Sequence, residues 1–416
     1  MRQTSIKLSH STKKIGGTVQ LTGSKSESNR ALIIQALSKG NVTIENISEA
    51  DDTILLTRAL QDDAASHEGT KTIDIGPAGT AMRFMTSYLN LIPGEFILTG
   101  TARMKQRPIG ILVDALRTIG ADINYVDKAG YPPLHIKGGL SQTQERVSIK
   151  GDVSSQYISS LLLVAAHLEK GLTIEIEGEL TSRPYVTMTL NMLAEAGINH
   201  NWEGNNIQIL PQKAQQSTIY VEPDWSAASY WYAMVALAEE AEIRLPGLKK
   251  SSLQGDIAIA SIMEHFGVKT TFEEKGILLE KTSALSDKTF FDFKECPDLA
   301  QTVVVVATAL KRNVSFTGLE TLKIKETDRI AALQQEIGKF GATLTEDNEV
   351  YHLNTDNVKE PEAITIATYE DHRMAMAFAP MALVFEKVHI EEPHVVEKSY
   401  PMYWEHLTAQ GFDIEQ

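Results

Sequence analysis

Six times along the chain, a short polar loop leads directly into a run of small and apolar residues. The runs read ALIIQAL, AMRFMTSYL, QYISSLLLVAA, SAASYWYAMVAL, TVVVVATAL and MAMAFAPMAL. Because these runs are apolar on every side, they predict helices that are buried inside their own domain. Other segments, such as VDALRTIG and ALQQEIGKFG, are apolar on one side only, which predicts helices with a solvent-facing side.

The polar loops recur at a nearly constant spacing. Markers at Ser26, Gly79, Ser154, Ser226, Asp298 and His372 are separated by 53, 75, 72, 72 and 74 residues. A second marker is a glycine that ends a helix-like segment, and it occurs at Gly120, Gly197, Gly267, Gly341 and Gly411. A period of about 70 residues is longer than solenoid repeats, so the spacing predicts six copies of a small α/β module.

The six modules fall into two groups of three. Residues 219–224 read IYVEPD and predict a strand that leaves one domain, and Gly23 occupies the matching place near the start of the chain. The predicted domains are therefore residues 23–222 and residues 1–22 with 223–416, with an active site in the cleft between domains. Within each module the expected order is loop, helix, strand, helix, glycine and strand.

Composition and charge exclude several classes of protein. The 416 residues are 43% apolar and 22% charged, which is typical of globular proteins, and 39 basic against 54 acidic residues give a net charge of −15. That balance argues against a nucleic-acid partner. The single cysteine, Cys296, excludes an internal disulfide and fits a reducing compartment. The longest apolar stretch, residues 374–385, is too short to cross a bilayer. We expect a cytoplasmic monomer without a membrane partner.

The positive charges of this acidic chain concentrate at the loops. They are Lys25, Arg30, Arg83, Arg103, Lys105, Arg107, Lys325, Arg329, Arg373 and Lys398. Any one of them, taken alone, is most simply a solvated surface charge. Together they recur beside Gly, Ser and Thr at helix starts, where backbone N–H groups are unpaired. This pattern predicts binding of several phosphate or carboxylate groups.

Carboxylates within the cationic set are candidates for proton transfer. Asp298 follows a proline at a helix start, so it is either a helix N-cap or a general base. Glu326 and Asp328, in the segment KETDR, form either intrahelical ion pairs or an acid–base site. His372 is either a base or a structural hydrogen-bonding residue. Cys296 is interpreted as a small packed residue. No HExxH, CxxC or EF-hand pattern occurs, so no metal is predicted.

Several motifs, in order along nearly the whole chain, resemble those of the 5-enolpyruvylshikimate-3-phosphate synthase family. They are GSKS with SNR at 23–30, AGTAMR at 78–83, RMKQRP at 103–108, SSQ at 154–156, SRPY at 182–185, PD at 297–298, KETDR at 325–329, DHRMAM at 371–376, and Lys398. The resemblance implies a fold of two lobes, each an inside-out α/β barrel of three repeated units. It also implies an enzyme of the shikimate pathway, and thus of chorismate and aromatic amino-acid biosynthesis. This transferase moves the enolpyruvyl group of phosphoenolpyruvate to the 5-hydroxyl of shikimate 3-phosphate.

The resemblance assigns roles residue by residue. Shikimate 3-phosphate would bind to Lys25, Ser26, Arg30, Ser154, Ser155, Gln156, Ser182, Asp298 and Lys325. Phosphoenolpyruvate would bind to Lys25, Gly79, Arg107, Gln156, Arg329, Arg373 and Lys398. Asp298 would be the base for the hydroxyl, Glu326 or Lys25 would handle the proton on carbon, and Lys398 would assist the departing phosphate. No cofactor is implied, and glyphosate is an expected inhibitor.

The chain departs from the usual family pattern at four positions, which are Pro77, Phe84, Thr321 and Glu27.

Two other functions are alternatives to this transferase. The first alternative is the sister transferase that acts on UDP-N-acetylglucosamine, which typically carries Lys-Asn where this chain has Lys25 followed by serine. The second is a non-catalytic protein that uses the same cationic site to bind anions.

Overall fold

The computed structural model describes residues 4–63 and 69–415. Its strands are β1 (Ser5–Ser9), β2 (Lys14–Thr18), β3 (Val42–Glu45), β4 (Thr70–Asp74), β5 (Glu95–Thr99), β6 (Asp122–Tyr125), β7 (Leu134–Lys137), β8 (Arg146–Lys150), β9 (Leu172–Glu177), β10 (Asn201–Glu203), β11 (Asn206–Ile209), β12 (Ser217–Tyr220), β13 (Glu240–Pro246), β14 (Phe266–Glu273), β15 (Gly276–Leu285), β16 (Phe290–Asp292), β17 (Val314–Thr317), β18 (Thr343–Asp347), β19 (Val350–Asn354), β20 (Ile364–Ile366), β21 (Val388–Glu391) and β22 (Asp413–Glu415).

Two kinds of helix accompany these strands. The α-helices are α1 (Lys25–Leu37), α2 (Asp51–Asp63), α3 (Gly79–Tyr88), α4 (Gly110–Thr118), α5 (Ser155–Ala165), α6 (Arg183–Glu195), α7 (Trp225–Leu237), α8 (Ile259–Glu264), α9 (Ala300–Ala309), α10 (Arg329–Gly338), α11 (His372–Phe378) and α12 (Tyr403–Ala409). Short 3-10 helices span Met104–Gln106, Gly255–Ala258, Pro297–Leu299, Glu320–Ile324, Ala379–Leu383 and Pro393–Lys398. Among the described residues, no helix combines the length and apolarity that a bilayer crossing requires.

The chain forms two compact units. We call residues 23–221 the inserted unit and residues 1–22 with 222–416 the flanking unit. Within the described residues, the sheets of the inserted unit are β4-β5-β7-β6, β8-β9-β11-β10 and the pair β3-β12, and those of the flanking unit are β2-β13-β15-β14, β16-β17-β19-β18 and β20-β21-β1-β22. The predicted α/β class is therefore confirmed.

The four-stranded sheets share one arrangement. In each, the first two strands are parallel and the remaining neighbours are antiparallel. A parallel pair needs a crossover, and in four of these sheets it contains one of the apolar helices: α3 between β4 and β5, α5 between β8 and β9, α9 between β16 and β17, and α11 between β20 and β21. The start of each such helix lies just after the first strand of its pair. The fifth pair, β2 and β13, is connected through the whole inserted unit and α7.

The helices predicted from the six apolar runs are present and buried. Every residue of α9 is buried, and in α7 only Ser226 is not. The sixth run differs from a single helix, because α11 ends at Phe378 and a 3-10 helix continues over Ala379–Leu383. Pro380 lies in that segment, and its missing N–H and bulky ring disfavour a continuing α-helix.

Four of the glycine markers follow the ends of their helices as predicted, whereas Gly267 is already the second residue of β14. Gly120, Gly197, Gly267, Gly341 and Gly411 all have φ between +79° and +109°, a conformation that other residues rarely adopt. At Gly120 a side chain is also sterically excluded, because a Cβ atom would lie 2.4 Å from the carbonyl oxygen of Ser141.

Candidate functional site

In the inserted unit, Lys25 is the first residue of α1 and is held by a carboxylate from the next helix. Ser24 caps α1, with its hydroxyl accepting the amide of Glu27. The Nζ atom of Lys25 lies 3.2 Å from Oδ2 of Asp52, which is itself buried in α2. No sequence pattern marks this partner, because Asp52 lies outside every recurring loop. The ion pair fixes the ammonium group at the start of the helix.

Arg30 is buried one turn further along α1. Its guanidinium donates to Oγ1 of Thr189 at 2.7 Å, to the carbonyl of Ser26 at 2.8 Å and to Oγ of Ser159 at 3.1 Å. Burial lowers the pKa of Arg30 to about 10. The alternative of a solvated surface charge is therefore wrong for Arg30. The hydrogen-bond partners of Arg30 are all neutral, and among the described residues no carboxylate accepts from it. The positive charge of the guanidinium is therefore available to attract an anion.

Gly79 begins α3 in direct contact with Arg107. A Cβ atom at position 79 would lie 2.5 Å from Nη1 and 2.9 Å from Cζ of Arg107. Arg83 braces this contact, since it donates to the carbonyl of Gly79 at 3.1 Å and to that of Pro108 at 3.0 Å. The absence of a side chain at Gly79 is therefore what allows the Arg107 guanidinium to lie against the backbone.

The remaining candidates of the inserted unit lie at two further helix starts. Ser154 caps α5 by accepting the amide of Gln156, and the Gln156 side chain donates to Oγ1 of Thr80 at 3.3 Å. This hydrogen bond joins the starts of α3 and α5. Ser155 is buried in the first turn of α5. Ser182 precedes α6 in a left-handed conformation, with φ of 53°.

In the flanking unit, Asp298 is the centre of a cluster of cations. Its Oδ1 accepts from Arg329 at 2.9 Å and lies 3.6 Å from Nζ of Lys325, while Oδ2 accepts from Arg373 at 3.1 Å. Burial alone would raise the pKa of the Asp298 carboxyl, but Arg373, Lys325 and Arg329 hold it well below its usual range. The cap residues nearby are Cys296 and Leu299, so the N-cap interpretation of Asp298 is wrong.

Arg329 connects three carboxylates. Its Nε donates to Asp371 at 2.7 Å, one Nη to Asp298 and the other to Glu326 at 2.9 Å, and its side chain is only 2% exposed. Burial alone would lower the pKa of Arg329, yet Asp371, Glu326 and Asp298 raise it above its ordinary value. Glu326 then accepts from Lys398 at 2.9 Å. All six predicted residues of this unit thus belong to one network.

The intrahelical alternative for the KETDR segment is wrong. Helix α10 begins at Arg329, so the pair between Glu326 and Arg329 lies before the helix. Asp328 is the N-cap, with its carboxylate accepting the amide of Ala331 at 3.0 Å. Asp328 therefore caps the amino-terminal end of the helix, while Glu326 belongs to the cation network.

A strained turn at residues 369–370 directly precedes the DHR segment, residues 371–373, whose side chains belong to this network. Tyr369 and Glu370 both have left-handed backbones, with φ of 55° and 56°. The Tyr369 hydroxyl donates to buried Glu336 at 2.7 Å, which ties the turn to α10. Directly after the turn, Asp371 bonds Arg329 and accepts the amide of Arg373 at 2.8 Å. The turn therefore fixes the position of both arginines.

We expect Glu370→Gly to stabilise the protein. Glycine adopts the left-handed conformation without the cost of a Cβ atom, about 1–2 kcal/mol, and Glu370 is exposed, so no packing is lost. After the entropy cost of glycine, the free energy of unfolding should rise by about 0.5–1 kcal/mol, measured by urea denaturation. Glu362→Gly is the control, because this exposed glutamate has no positive φ. It should destabilise, and equal effects of the two changes would contradict the strain argument.

Three further buried residues of the flanking unit carry titratable side chains. Cys296 is buried in the core, as predicted, and burial raises the pKa of its thiol. The His372 ring is buried with Nδ1 3.6 Å from Oδ1 of Asp371. Asp256 was not identified from the sequence, because no motif marks it. Burial raises its pKa to about 6 against the opposing charge of Arg373. No group of metal-ligating side chains occurs within residues 4–63 and 69–415.

Comparison with protein families matches residues 10–407 to the EPSP synthase model, described as 3-phosphoshikimate 1-carboxyvinyltransferase. The chain belongs to the EPSP synthase family. The family predicted from the motifs, and with it the class of carboxyvinyl transferases, is confirmed. This membership rests on a match over nearly the whole chain rather than on any single residue.

Curated relatives and solved structures agree with membership of the EPSP synthase family. The chain is 48% identical over 404 residues to a 3-phosphoshikimate 1-carboxyvinyltransferase of Bacteroides fragilis, covering 97% of both chains. It is 36% identical to one from Neisseria meningitidis serogroup B, covering 93% of this chain and 94% of that one. EPSP synthase of Acinetobacter baumannii shares the fold, with TM-score 0.80, 22% identity and full coverage of both chains. The enolpyruvyl transferase NikO of Streptomyces tendae has TM-score 0.73 and 14% identity, covering 100% of this chain and 99% of that one.

Proposed function

We propose that this chain transfers the enolpyruvyl group of phosphoenolpyruvate to the 5-hydroxyl of shikimate 3-phosphate and releases phosphate. The observation that carries the proposal is the network around Asp298, in which one carboxylate is shared among Arg329, Arg373 and Lys325. Two substrates with two phosphates and two carboxylates need dense positive charge to overcome their mutual repulsion. The same reaction needs a carboxylate next to the attacking hydroxyl.

The substrate contacts proposed here follow the family motifs. Shikimate 3-phosphate is assigned to Lys25, Ser26, Arg30, Ser154, Ser155, Gln156, Ser182, Asp298 and Lys325, and phosphoenolpyruvate to Lys25, Gly79, Arg107, Gln156, Arg329, Arg373 and Lys398. Burial supports these assignments for the arginines, because Arg30, Arg107, Arg329 and Arg373 are all buried rather than solvated. Buried guanidinium groups give stronger and better oriented hydrogen bonds to anions than exposed ones.

The proposed chemistry moves one proton from oxygen and one to carbon. Asp298 accepts the hydroxyl proton while the hydroxyl oxygen bonds to C2 of phosphoenolpyruvate. Glu326 or Lys25 delivers a proton to the terminal vinyl carbon, and its later removal restores the double bond as the C2–O bond to phosphate breaks. Lys398, which contacts Glu326, stabilises the departing phosphate. The two substrates supply all the reacting groups, so no cofactor takes part in this scheme.

Substrate binding should itself strengthen the base. Arg329 and Arg373 donate to the two oxygens of Asp298, and their charges, with that of Lys325, lower the pKa of its carboxyl. When the anionic groups of phosphoenolpyruvate share these guanidinium donors, the attraction on Asp298 is partly neutralised. We expect its pKa then to rise towards the range in which a carboxylate removes a proton efficiently.

Phosphate release in the presence of both substrates tests the proposed function. The wild-type chain should release phosphate only when phosphoenolpyruvate and shikimate 3-phosphate are both present. The sister transferase would instead require UDP-N-acetylglucosamine as acceptor. A non-catalytic anion binder would bind phosphoenolpyruvate in calorimetry but release no phosphate with either acceptor.

We further propose that the enzyme acts as a cytoplasmic monomer that binds no nucleic acid. The net charge of −15 argues against a nucleic-acid partner, and the single, buried cysteine fits a reducing compartment. Light scattering across a hundredfold range of protein concentration should give a constant mass near 45.9 kDa. A mass that doubles within this range would contradict the monomer.

We expect Gly79→Ala to weaken glyphosate inhibition more than phosphoenolpyruvate binding. The new methyl group would lie 2.5 Å from the Arg107 guanidinium and must displace it. The inhibitor is longer than the substrate, so it has less room to adjust. Losing one well-placed charged hydrogen bond costs about 1.5–3 kcal/mol, so the inhibition constant should rise about 10–100-fold.

Competition against phosphoenolpyruvate measures both constants for this prediction. Gly338→Ala is the control, because a Cβ atom there contacts nothing within 4 Å. This variant should leave both constants unchanged. A wild-type enzyme that resists inhibitor at about millimolar concentration would show that the departures at Pro77 and Phe84 outweigh the missing side chain at Gly79.

A further inference from the structure

Asp256 is a buried carboxylate with one hydrogen-bond partner among the described residues. It lies in the 3-10 helix Gly255–Ala258 of the flanking unit and is 4% exposed. Its Oδ2 accepts the hydroxyl hydrogen of Ser226, which lies in the first turn of α7. Within the described part of the chain, its Oδ1 has no hydrogen-bond partner. Burying a carboxylate so sparsely bonded is costly, which calls for an explanation other than stability.

The hydroxyl of Ser226 connects Asp256 to Arg373. Nη2 of Arg373 lies 3.4 Å from Oγ of Ser226 and 3.1 Å from Oδ2 of Asp298. The serine hydroxyl can donate only one hydrogen. Since Asp256 accepts that hydrogen, the oxygen lone pairs of Ser226 are left to face the guanidinium. Asp256 therefore turns the hydroxyl hydrogen of Ser226 away from Arg373, so that a lone pair accepts from the guanidinium.

A second buried carboxylate of the same unit shows what a purely structural role looks like. Glu222 accepts from Nε1 of Trp225 at 2.9 Å, from the amide of Lys249 at 2.7 Å and from the hydroxyl of Ser252 at 2.5 Å. The bonds from Lys249 and Ser252 join Glu222 to another segment of the chain, and the bond from Trp225 is local. Among the described contacts, Asp256 makes one hydrogen bond, to the serine that contacts Arg373, so its effect is concentrated there.

We propose that Asp256 is a positioning residue for phosphoenolpyruvate, acting through the Ser226 hydroxyl on the guanidinium of Arg373. The inference rests on the proposed function, in which Arg373 binds this substrate. Tyr230 contacts the other terminal nitrogen, Nη1, at 3.3 Å. The Ser226 and Tyr230 hydroxyls thus hold both terminal nitrogens, so the plane of the guanidinium is fixed before the anion arrives.

Steady-state kinetics of four variants test this arrangement. Asp256→Ala and Ser226→Ala should each raise the KM for phosphoenolpyruvate about tenfold, the effect of losing one charge-assisted hydrogen bond. The KM for shikimate 3-phosphate should not change, and kcat should fall far less than tenfold. Asp256→Asn should restore a near-normal KM, because its amide oxygen still accepts from Ser226. The double variant, with alanine at both positions, should match the single variants.

Ser252→Ala is the matched control, since it removes a hydroxyl from the other buried carboxylate, Glu222. It should lower Tm without changing either KM. If Asp256→Ala does not fold, the comparison of Ser226→Ala with Ser252→Ala decides, because both remove only a hydroxyl.

Four results would overturn the inference while leaving the proposed function intact. They are an unchanged KM for phosphoenolpyruvate, an equal rise for both substrates, failure of asparagine to restore binding, and multiplied effects in the double variant. A wild-type chain that releases no phosphate from the two substrates would overturn the proposed function, and this inference with it.

Discussion

Alanine in place of Asp298 will lower the turnover number by about 10²–10⁴-fold, the usual contribution of a general base. Phosphoenolpyruvate should bind as tightly as before or more tightly, because the change releases the donors of Arg329 and Arg373 that Asp298 occupies. Asp298→Asn should lose turnover to a similar extent, since an amide cannot accept the proton. Single-turnover kinetics together with calorimetric binding of phosphoenolpyruvate would separate the two effects.

Asp292→Ala is the control for the base. This carboxylate lies six positions earlier, in β16, is exposed, and accepts only the amide of Lys294 at 3.0 Å among the described contacts. Its loss should leave turnover nearly unchanged. If Asp298→Ala retains turnover to within about tenfold of wild type, the base lies elsewhere, and Glu326 becomes the next residue to replace.

Methionine in place of Arg329 will lower the free energy of unfolding by about 3–5 kcal/mol and abolish phosphoenolpyruvate binding. The substitution keeps most of the buried volume but removes the donors to Asp371, Asp298 and Glu326. Asp371 is fully buried, so its charge would lose its main counterion. Removing one partner of a buried ion pair is far more costly than replacing the whole pair.

The loss caused by Arg329→Met should depend on pH in a defined direction. In the wild type, the pKa of Asp298 lies below its unfolded value of about 3.9. The stabilisation that the ionised Asp298 carboxylate provides is therefore fully present at both pH 7.5 and pH 5. In the variant, the buried Asp371 loses its main counterion. An uncompensated buried charge is most costly where carboxylates are fully ionised, so the penalty is larger at pH 7.5 than at pH 5. Urea denaturation should therefore show a smaller deficit at pH 5 than at pH 7.5.

Arg312→Met controls for the loss of an arginine as such. The guanidinium of Arg312 donates to the carbonyl oxygens of Ser286 and Lys288 at 2.6 and 3.1 Å. No carboxylate accepts from it among the described contacts, so its stability deficit should lack the pH dependence that carboxylates cause, and only His265, whose pKa is lowered by burial and in part by the charge of Arg312, contributes. A deficit of Arg329→Met that is independent of pH would show that the network carboxylates are not its cause.

The sequence predicted those parts of the fold that depend on local pattern. All-round apolarity identified the six buried helices, and the glycine markers identified helix ends, because both properties are encoded in consecutive residues. The same holds for the candidate site residues that lie in short motifs, such as Arg329 and Arg373. Their partnership with Asp298 could be suspected from residue type, since buried cations need carboxylates.

Contacts between distant segments could not be predicted in this way. Asp52 and Asp256 act on Lys25 and Ser226 from other helices, and a lone aspartate in an unremarkable segment carries no signal of its own. The left-handed backbone at Tyr369 could not be predicted from the sequence either, because tertiary contacts impose a conformation that tyrosine disfavours. The N-cap interpretation of Asp298 was wrong for a related reason. The preference of aspartate for helix starts suggested a cap, but arginines distant in sequence donate hydrogen bonds to both carboxylate oxygens.

Strand β1 constrains the order in which the chain can fold during synthesis. Its neighbours are β21 and β22, so residues near the amino terminus pair with residues near position 390 and with the last described strand. The inserted unit has no such dependence, since all its described strands lie between Val42 and Tyr220. On the ribosome the inserted unit can complete its sheets early, whereas β1 must wait with its edges unpaired until β21 and β22 have been synthesised. The slow, aggregation-sensitive interval of biogenesis therefore belongs to the flanking unit, and shielding β1 is where a chaperone would have most effect.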